Sequence, residues 1–241
     1  MAIFERKFTV GVTDININRK IKNKSIIKIF QDVAGMHSDS LHLGINDIDK
    51  TKLSWVILGW KIKVLKRPIY NEEVVVRTWI RDGNKISMYR DFEMYDLNGN
   101  LLSFGTSKWT LINIETKALT QLSDSIIDLY GEEEKSLFEE RKLDKIKEPE
   151  DYISSMEYKI PRDFIDVNEH VHNLYYLDMA YEVLPEEVYK SEELNNIEII
   201  YKKQIKYNDK IYCTYTNENN EIIVTIKTTK DNVLHAIIKL Y

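Results

Sequence analysis

The chain has 241 residues, 43% hydrophobic and 30% charged, with a net charge of −5. That balance predicts a soluble folded protein with a real core and gives no general reason to expect nucleic acid as a partner. A single cysteine, Cys213, excludes an intrachain disulfide framework and a cysteine-rich zinc site, and suits a reducing, cytoplasmic setting.

The first residues, MAIFERKFTV, lack the long apolar core of a signal peptide, and no apolar run is long enough to span a membrane. ERKFTVGVTDI alternates as a strand, with Phe8, Val10 and Val12 on one face. In residues 22–44, Ile26, Ile27, Phe30, Val33 and Ala34 recur at helical spacing, so the pattern predicts a helix with Ser25 as N-cap and Gly44 near its end. Four strands are predicted next. SWVILGWKIKVL is apolar on both faces for part of its length, as in a central strand. YNEEVVVRTWIRD, NKISMYRDFEMYD and GNLLSFGTSKWTLIN follow, with a type I′ hairpin turn expected at Asp96-Leu97-Asn98-Gly99.

Residues 123–150 are highly charged and read as a partly helical connection. The second half then repeats the order. SSMEYKIPRDF reads as a strand, HNLYYLDMAYEVL as a helix, and IEIIYKKQIKYND, KIYCTYTNEN, EIIVTIKTT and NVLHAIIKLY as strands. LKRPIYNEEVVV (65–76) resembles KKQIKYNDKIYC (202–213), and VTD (12–14) resembles PRD (161–163). The expected fold class is therefore α+β: two similar halves, each a helix wrapped by an antiparallel sheet. The domains would be 1–122 and 151–241.

The chemistry-bearing stretch is DVNEHVHNLYY, residues 166–176. Asp166 and Glu169 have the spacing of a helix capping box, and Asn168 is also a good N-cap. Capping does not account for His170 and His172, since histidine is a poor helix former. A neutral imidazole there is a usable acid–base group near pH 7. A helix start would add unpaired backbone N–H groups for an oxyanion. A carboxylate, an amide and an imidazole in that setting point to acyl hydrolysis.

Asp-x-Asn-x-His-x-x-Asn-x-x-Tyr (Asp166, Asn168, His170, Asn173, Tyr176), with the Tyr-Lys-Lys of 201–203, resembles the acyl-acyl carrier protein (acyl-ACP) thioesterases. RDFEMYD, TSKWTLINIETKAL and LSWVILGWKIKVLKRP resemble segments of the family's first domain. The resemblance implies a bacterial member with two tandem hotdog folds packed as an intramolecular pseudo-dimer. It implies hydrolysis of the thioester between a fatty acyl chain and the carrier protein's phosphopantetheine arm. The first hotdog would shape the acyl pocket, for which Phe30, Met36, Trp55 and Ile57 are candidates, and the second would carry Asp166, Asn168 and His170. No metal or cofactor is implied, and a monomer or homodimer would serve. The family commonly has Glu, often followed by Cys, where this chain has Gln204 and Ile205. A cysteine nucleophile is unavailable there, and Cys213 reads as core. General-base-assisted water attack by Asp166 or His170 is therefore expected. Gln204 can hold a water but not take its proton. Hydrolysis of acyl-coenzyme A and non-catalytic acyl binding are the alternatives. His37, His42 and His235 read as structural, and His172 as a capping or surface residue.

Overall fold

In the computed structural model, which describes residues 3–166, 168–190 and 194–241, only the first part of the expected N-terminal strand forms, as β1 (Phe4–Thr9). Val12 is exposed beyond it instead of sharing a face with Phe8 and the buried Val10. After a single 3₁₀ turn at Val12–Asp14 comes helix α1 (Asn23–Ser40). Helix α2 (Ile48–Thr51) and strands β2 (Leu53–Val64), β3 (Glu73–Asn84), β4 (Ser87–Asp96) and β5 (Leu101–Asn113) follow, then the two-residue β6 (Leu119–Thr120) and helix α3 (Asp124–Tyr130). The remainder contains β7 (Ser154–Tyr158), α4 (Tyr175–Glu182), α5 (Glu186–Tyr189), β8 (Asn196–Tyr201), β9 (Ile211–Glu218), β10 (Glu221–Thr228) and β11 (Leu234–Leu240). The chain divides into two units, Met1–Leu143 and Asp144–Tyr241.

In the first unit the strands are ordered β1-β3-β4-β5-β2, all antiparallel, with β6 on β5. Helix α1 packs on β1 and β3 and buries Ile26, Ile27, Phe30, Val33 and His37. The Phe30 ring stacks on Phe92 at 5.0 Å and lies 6.5 Å from the Trp60 ring. Gly105 on β5 permits this approach: a Cβ there would meet Ile62 Cγ1 at 2.8 Å and Phe30 at 3.4 Å. A bulge at Leu58 shifts the β2 register, so Ile57 and Trp60 are both buried although three residues apart. In the second unit the order is β7-β9-β10-β11-β8, again antiparallel, and α4 packs on β10 and β11. Strand for strand, the two units share one topology.

Several local expectations change. Ser25 lies buried inside α1, whose N-cap is Lys22, because the amides of Ser25 and Ile26 already bond to Lys22 O. The helix ends at Ser40 rather than near Gly44. The Asp96 hairpin is not type I′: only Gly99 is left-handed (φ 83°), and Asp96 Oδ1 accepts the amides of Asn98 and Asn100 at 2.9 Å. Only the first part of 123–150 is helical. Residues 133–141 run as a strap over the first sheet. Trp79 Nε1 donates to Lys135 O, Arg81 donates to Arg141 O, and the Leu137 amide donates to Asp91. A charged, apolar-poor sequence is held here by buried polar anchors on the sheet, which a hydrophobicity pattern does not register.

Candidate active site

The second unit's candidate residues sit on a turn, not a helix start. Ile165 and Val171 pair across its base. The Asp166 amide donates to His170 O at 2.8 Å, and the Glu169 amide to Asp166 O at 3.0 Å. Asp166 Oδ1 accepts the amides of Asn168 (2.8 Å) and His170 (3.4 Å). Glu169 takes a left-handed conformation, φ 62°. The Asp166/Glu169 capping-box reading is thus overturned: Asp166 closes an Asx-type turn, whose signature matches a helix N-cap locally. Val167 lies outside the described residues.

Helix α4 begins only at Tyr175. His172 Nδ1 accepts the Leu174 amide at 3.3 Å, so the neutral ring carries its proton on Nε2. The amides of Tyr175, Tyr176 and Leu177 bond to the carbonyls three residues back. These N–H groups are consumed within the turn, so the helix start does not supply the expected oxyanion donors.

Gln204 is brought to the same place by a second segment. Strand β8 stops at Tyr201, and residues 202–206 cross to β11 and the Asp166 turn. The amides of Lys202 and Lys203 donate to His235 O, and His235 Nδ1 donates to Lys203 O at 3.1 Å. Tyr176 Oη donates to Lys203 O and accepts the Ile205 amide at 3.2 Å. Burial of that phenol pushes its pKa above the ordinary tyrosine range, so it stays a neutral clamp. The Val171 amide donates to Ile205 O at 2.8 Å, and His170 bridges Lys206. Gln204 is therefore fixed on both flanks while its residue stays exposed.

Asp166, Asn168 and His170 share one turn, and Gln204 lies on the strap bonded to it. Asp166 and His170 are half-buried and Asn168 is exposed. His170 Nδ1 and Asn173 Oδ1 are buried without a hydrogen-bond partner among the described residues. Buried polar atoms are rarely left so, because each costs roughly 1–3 kcal/mol. Asn173 thereby joins the candidate site. The sequence carries its signal in the histidine-x-x-asparagine spacing of the motif. Among the described residues, no cluster of His, Cys, Asp or Glu is placed to hold a metal ion. Cys213 is fully buried in β9, and burial pushes its thiol up to about 12.

The same turn exists in the first unit, built from other residues. The Asn16 amide donates to Lys20 O, the Arg19 amide to Asn16 O, and Asn16 Oδ1 accepts the amides of Asn18 and Lys20 at 3.0 and 3.1 Å. Arg19 is left-handed at φ 61°, and the Ile21 amide donates to Pro68 O as Val171 does to Ile205 O. Asn16, Asn18, Lys20 and Arg67 thus occupy the places of Asp166, Asn168, His170 and Gln204. The Tyr-Asn-acid repeat has a structural role: Glu72 and Asp209 each accept the amide three residues earlier, of Ile69 and Lys206. VTD pairs with RDF (162–164), one residue later than the sequence match with PRD, since both triplets form the 3₁₀ turn before the loop.

The first unit also holds an apolar cavity, bordered by Ala34, Ile45, Trp55, Met88, Trp109 and Arg90. Of the four acyl-pocket candidates only Trp55 lines it. Phe30 and Ile57 are buried in the core and Met36 is exposed. Arg90 lies 3.1 Å from His37 Nδ1, with its guanidinium 5.1 Å from the Tyr130 ring centre.

An antiparallel sheet packed on a helix, present twice with one strand order, defines an α+β double hotdog protein. The chain belongs to the acyl-ACP thioesterase family: residues 1–130 match its N-terminal domain and residues 147–239 its C-terminal domain. It is 26% identical over 244 residues to oleoyl-acyl carrier protein thioesterase 2 of Arabidopsis thaliana, covering 94% of this chain and 66% of that protein. It is 27% identical over 216 residues to an acyl-[acyl-carrier-protein] hydrolase of Cuphea viscosissima, covering 84% of this chain and 52% of that one. The chain thus spans about half to two thirds of these relatives' length. Its fold matches the 12:0-ACP thioesterase of Umbellularia californica (TM-score 0.88, 19% identity, 100% and 96% of the chains). It also matches an acyl-ACP thioesterase of Bacteroides thetaiotaomicron (TM-score 0.85, 20% identity, 99% and 97%).

Proposed function

We propose that the chain hydrolyses fatty acyl-ACP thioesters to free fatty acid and holo-carrier protein by general-base-assisted attack of water, with the centre in the second unit. One observation carries this: two turns share one backbone, and only the second has a carboxylate and an imidazole, where the first has Asn16 and Lys20. The first turn forms with an amide and a lysine at these places, which supports a chemical role for the Asp166 charge and the His170 ring. In this reading Asp166 or His170 takes the proton from water, while Asn168, Asn173 and Gln204 hold the thioester carbonyl or the water. The first unit's apolar cavity supports an acyl pocket that includes Trp55. The lone, buried cysteine favours a cytoplasmic setting and disfavours covalent catalysis.

The test is hydrolysis of one acyl chain on two carriers, ACP and coenzyme A, across a series of chain lengths. Faster turnover on ACP is the expected result. Faster turnover on coenzyme A would make this a coenzyme A thioesterase instead. Gln204 supports a second reading, an acyl-binding protein without turnover, because an amide cannot accept water's proton. Tight acyl binding with no release of fatty acid, unaffected by His170→Ala, would establish that reading.

A further inference from the structure

The first unit's copy of the turn has the opposite charge to its counterpart. Residues 16–24, NINRKIKNK, carry four cations and no acid, where residues 166–174, DVNEHVHNL, carry two acids and no lysine or arginine. The fold adds two more cations beside them. Arg67 donates to Ile21 O at 3.0 Å, the Ile21 amide donates to Pro68 O, and the Tyr70 amide donates to Arg19 O. Lys20 bridges Ile69. Arg19, Lys20, Lys22, Lys24, Lys66 and Arg67 therefore gather on two hydrogen-bonded segments of a chain whose net charge is −5. Arg19 and Lys66 are exposed and Lys22 is half-buried.

The carboxylates flanking these segments are partly engaged: Asp14 accepts the Gly11 amide and Glu72 the Ile69 amide, exposed Glu73 follows Glu72, and Asp96 feels the charge of Lys66, so the cations outnumber the acids around them. Apolar side chains stand out among the cations, with Ile17 82%, Val12 71%, Tyr70 52% and Ile69 48% exposed. Exposed apolar groups amid one sign of charge mark a protein-binding surface more than a solvated face. An acidic partner would be steered by the cations and seated on the apolar groups.

Resting on the proposed acyl-ACP substrate, we propose that this first-unit turn is the docking face for an acidic surface of the carrier protein. Duplication left the turn as a scaffold, and basic residues turned the first copy from chemistry to recognition.

The test is the triple variant Arg19→Glu/Lys22→Glu/Lys66→Glu, with Arg19→Lys/Lys22→Arg/Lys66→Arg as the charge-preserving control and thermal melts to verify folding. Binding of holo-carrier protein is measured directly, and turnover is measured on acyl-ACP and on a carrier-free acyl-N-acetylcysteamine thioester. The Glu variant should weaken carrier binding at least 10-fold and raise KM for acyl-ACP alike. Its kcat/KM on the carrier-free thioester should stay within about twofold, and the control should behave as wild type. A wild type that binds the carrier through these residues without hydrolysing it would sink the catalytic reading and keep this one. Unchanged carrier binding in the Glu variant would overturn the docking face whatever the turnover. So would a wild type that binds anionic phosphatidylglycerol vesicles through these cations but not the carrier protein.

Discussion

Replacing Asp166 separates the turn from its chemistry, because the first unit supplies the control. Asn16 holds the equivalent turn with the same two Oδ1 hydrogen bonds, at 3.0 and 3.1 Å. Asp166→Asn keeps that acceptor and removes only the charge, so folding stability should stay within about 0.5 kcal/mol of wild type. Asp166→Ala loses both acceptances and should cost about 1–2 kcal/mol, as losing a comparable side-chain cap does. For a chain of this size that is roughly a 2–8 °C fall in Tm. On acyl-ACP, Asp166→Asn should lower kcat by about 10²–10⁴, the usual contribution of a positioned general base or its charged partner. Thermal melts and initial rates measured on one preparation of each variant decide it. If Asp166→Asn keeps half the wild-type kcat, the carboxylate has no chemical part. If it melts as low as Asp166→Ala, the two turns are not equivalent.

Gln204→Glu puts a proton acceptor on a strap already fixed by Tyr176 and His235, so kcat should rise about 10-fold or more if the amide limits the rate; no change would place catalysis on Asp166 and His170 alone. Gly35 lines the apolar cavity from inside α1, and a Cβ there meets nothing within 4 Å. Gly35→Ala should therefore stabilise by about 0.5–1 kcal/mol in a denaturant melt, and Gly35→Phe should shift the preferred acyl substrate to shorter chains; an unchanged length profile would remove that cavity from substrate binding. Burial, with Arg90 beside it, lowers the His37 pKa to about 3. The unfolded chain takes up a proton that the fold refuses, so this contribution is intact above pH 6.5 and is lost as pH falls from about 6.5 toward 3. His37→Gln should flatten the dependence of Tm on pH across that window, and an unaltered slope would show that the imidazole does not carry it.

Much of the fold was legible because strand alternation and helical spacing report burial directly. Phe8, Phe30 and the apolar β2 run all belong to such patterns. The candidate turn at 166–170 was legible by its residue types but not as structure. Asp166 with Glu169 three residues on fits a helix cap and an Asx turn equally well, and what decides between them is the pairing of Ile165 with Val171 across the turn. The end of β8 was hidden for a related reason: IEIIYKKQIKYND looks continuous, but Tyr176 and His235 pull Lys203 and Ile205 out of the ladder. Met36 repeats the helix's apolar spacing yet faces outward, since one face of α1 is already filled. Asn173 stands in the motif's histidine-x-x-asparagine spacing, but only the structure shows its Oδ1 buried with no hydrogen-bond partner among the described residues.

The most direct test of the central claim is the amount of free fatty acid released from acyl-ACP by the wild type and by His170→Ala, under matched conditions without added metal. The account predicts stoichiometric fatty acid and holo-carrier protein from the wild type and at least a 100-fold slower release from a folded His170→Ala variant. Equal rates from the two proteins would contradict it.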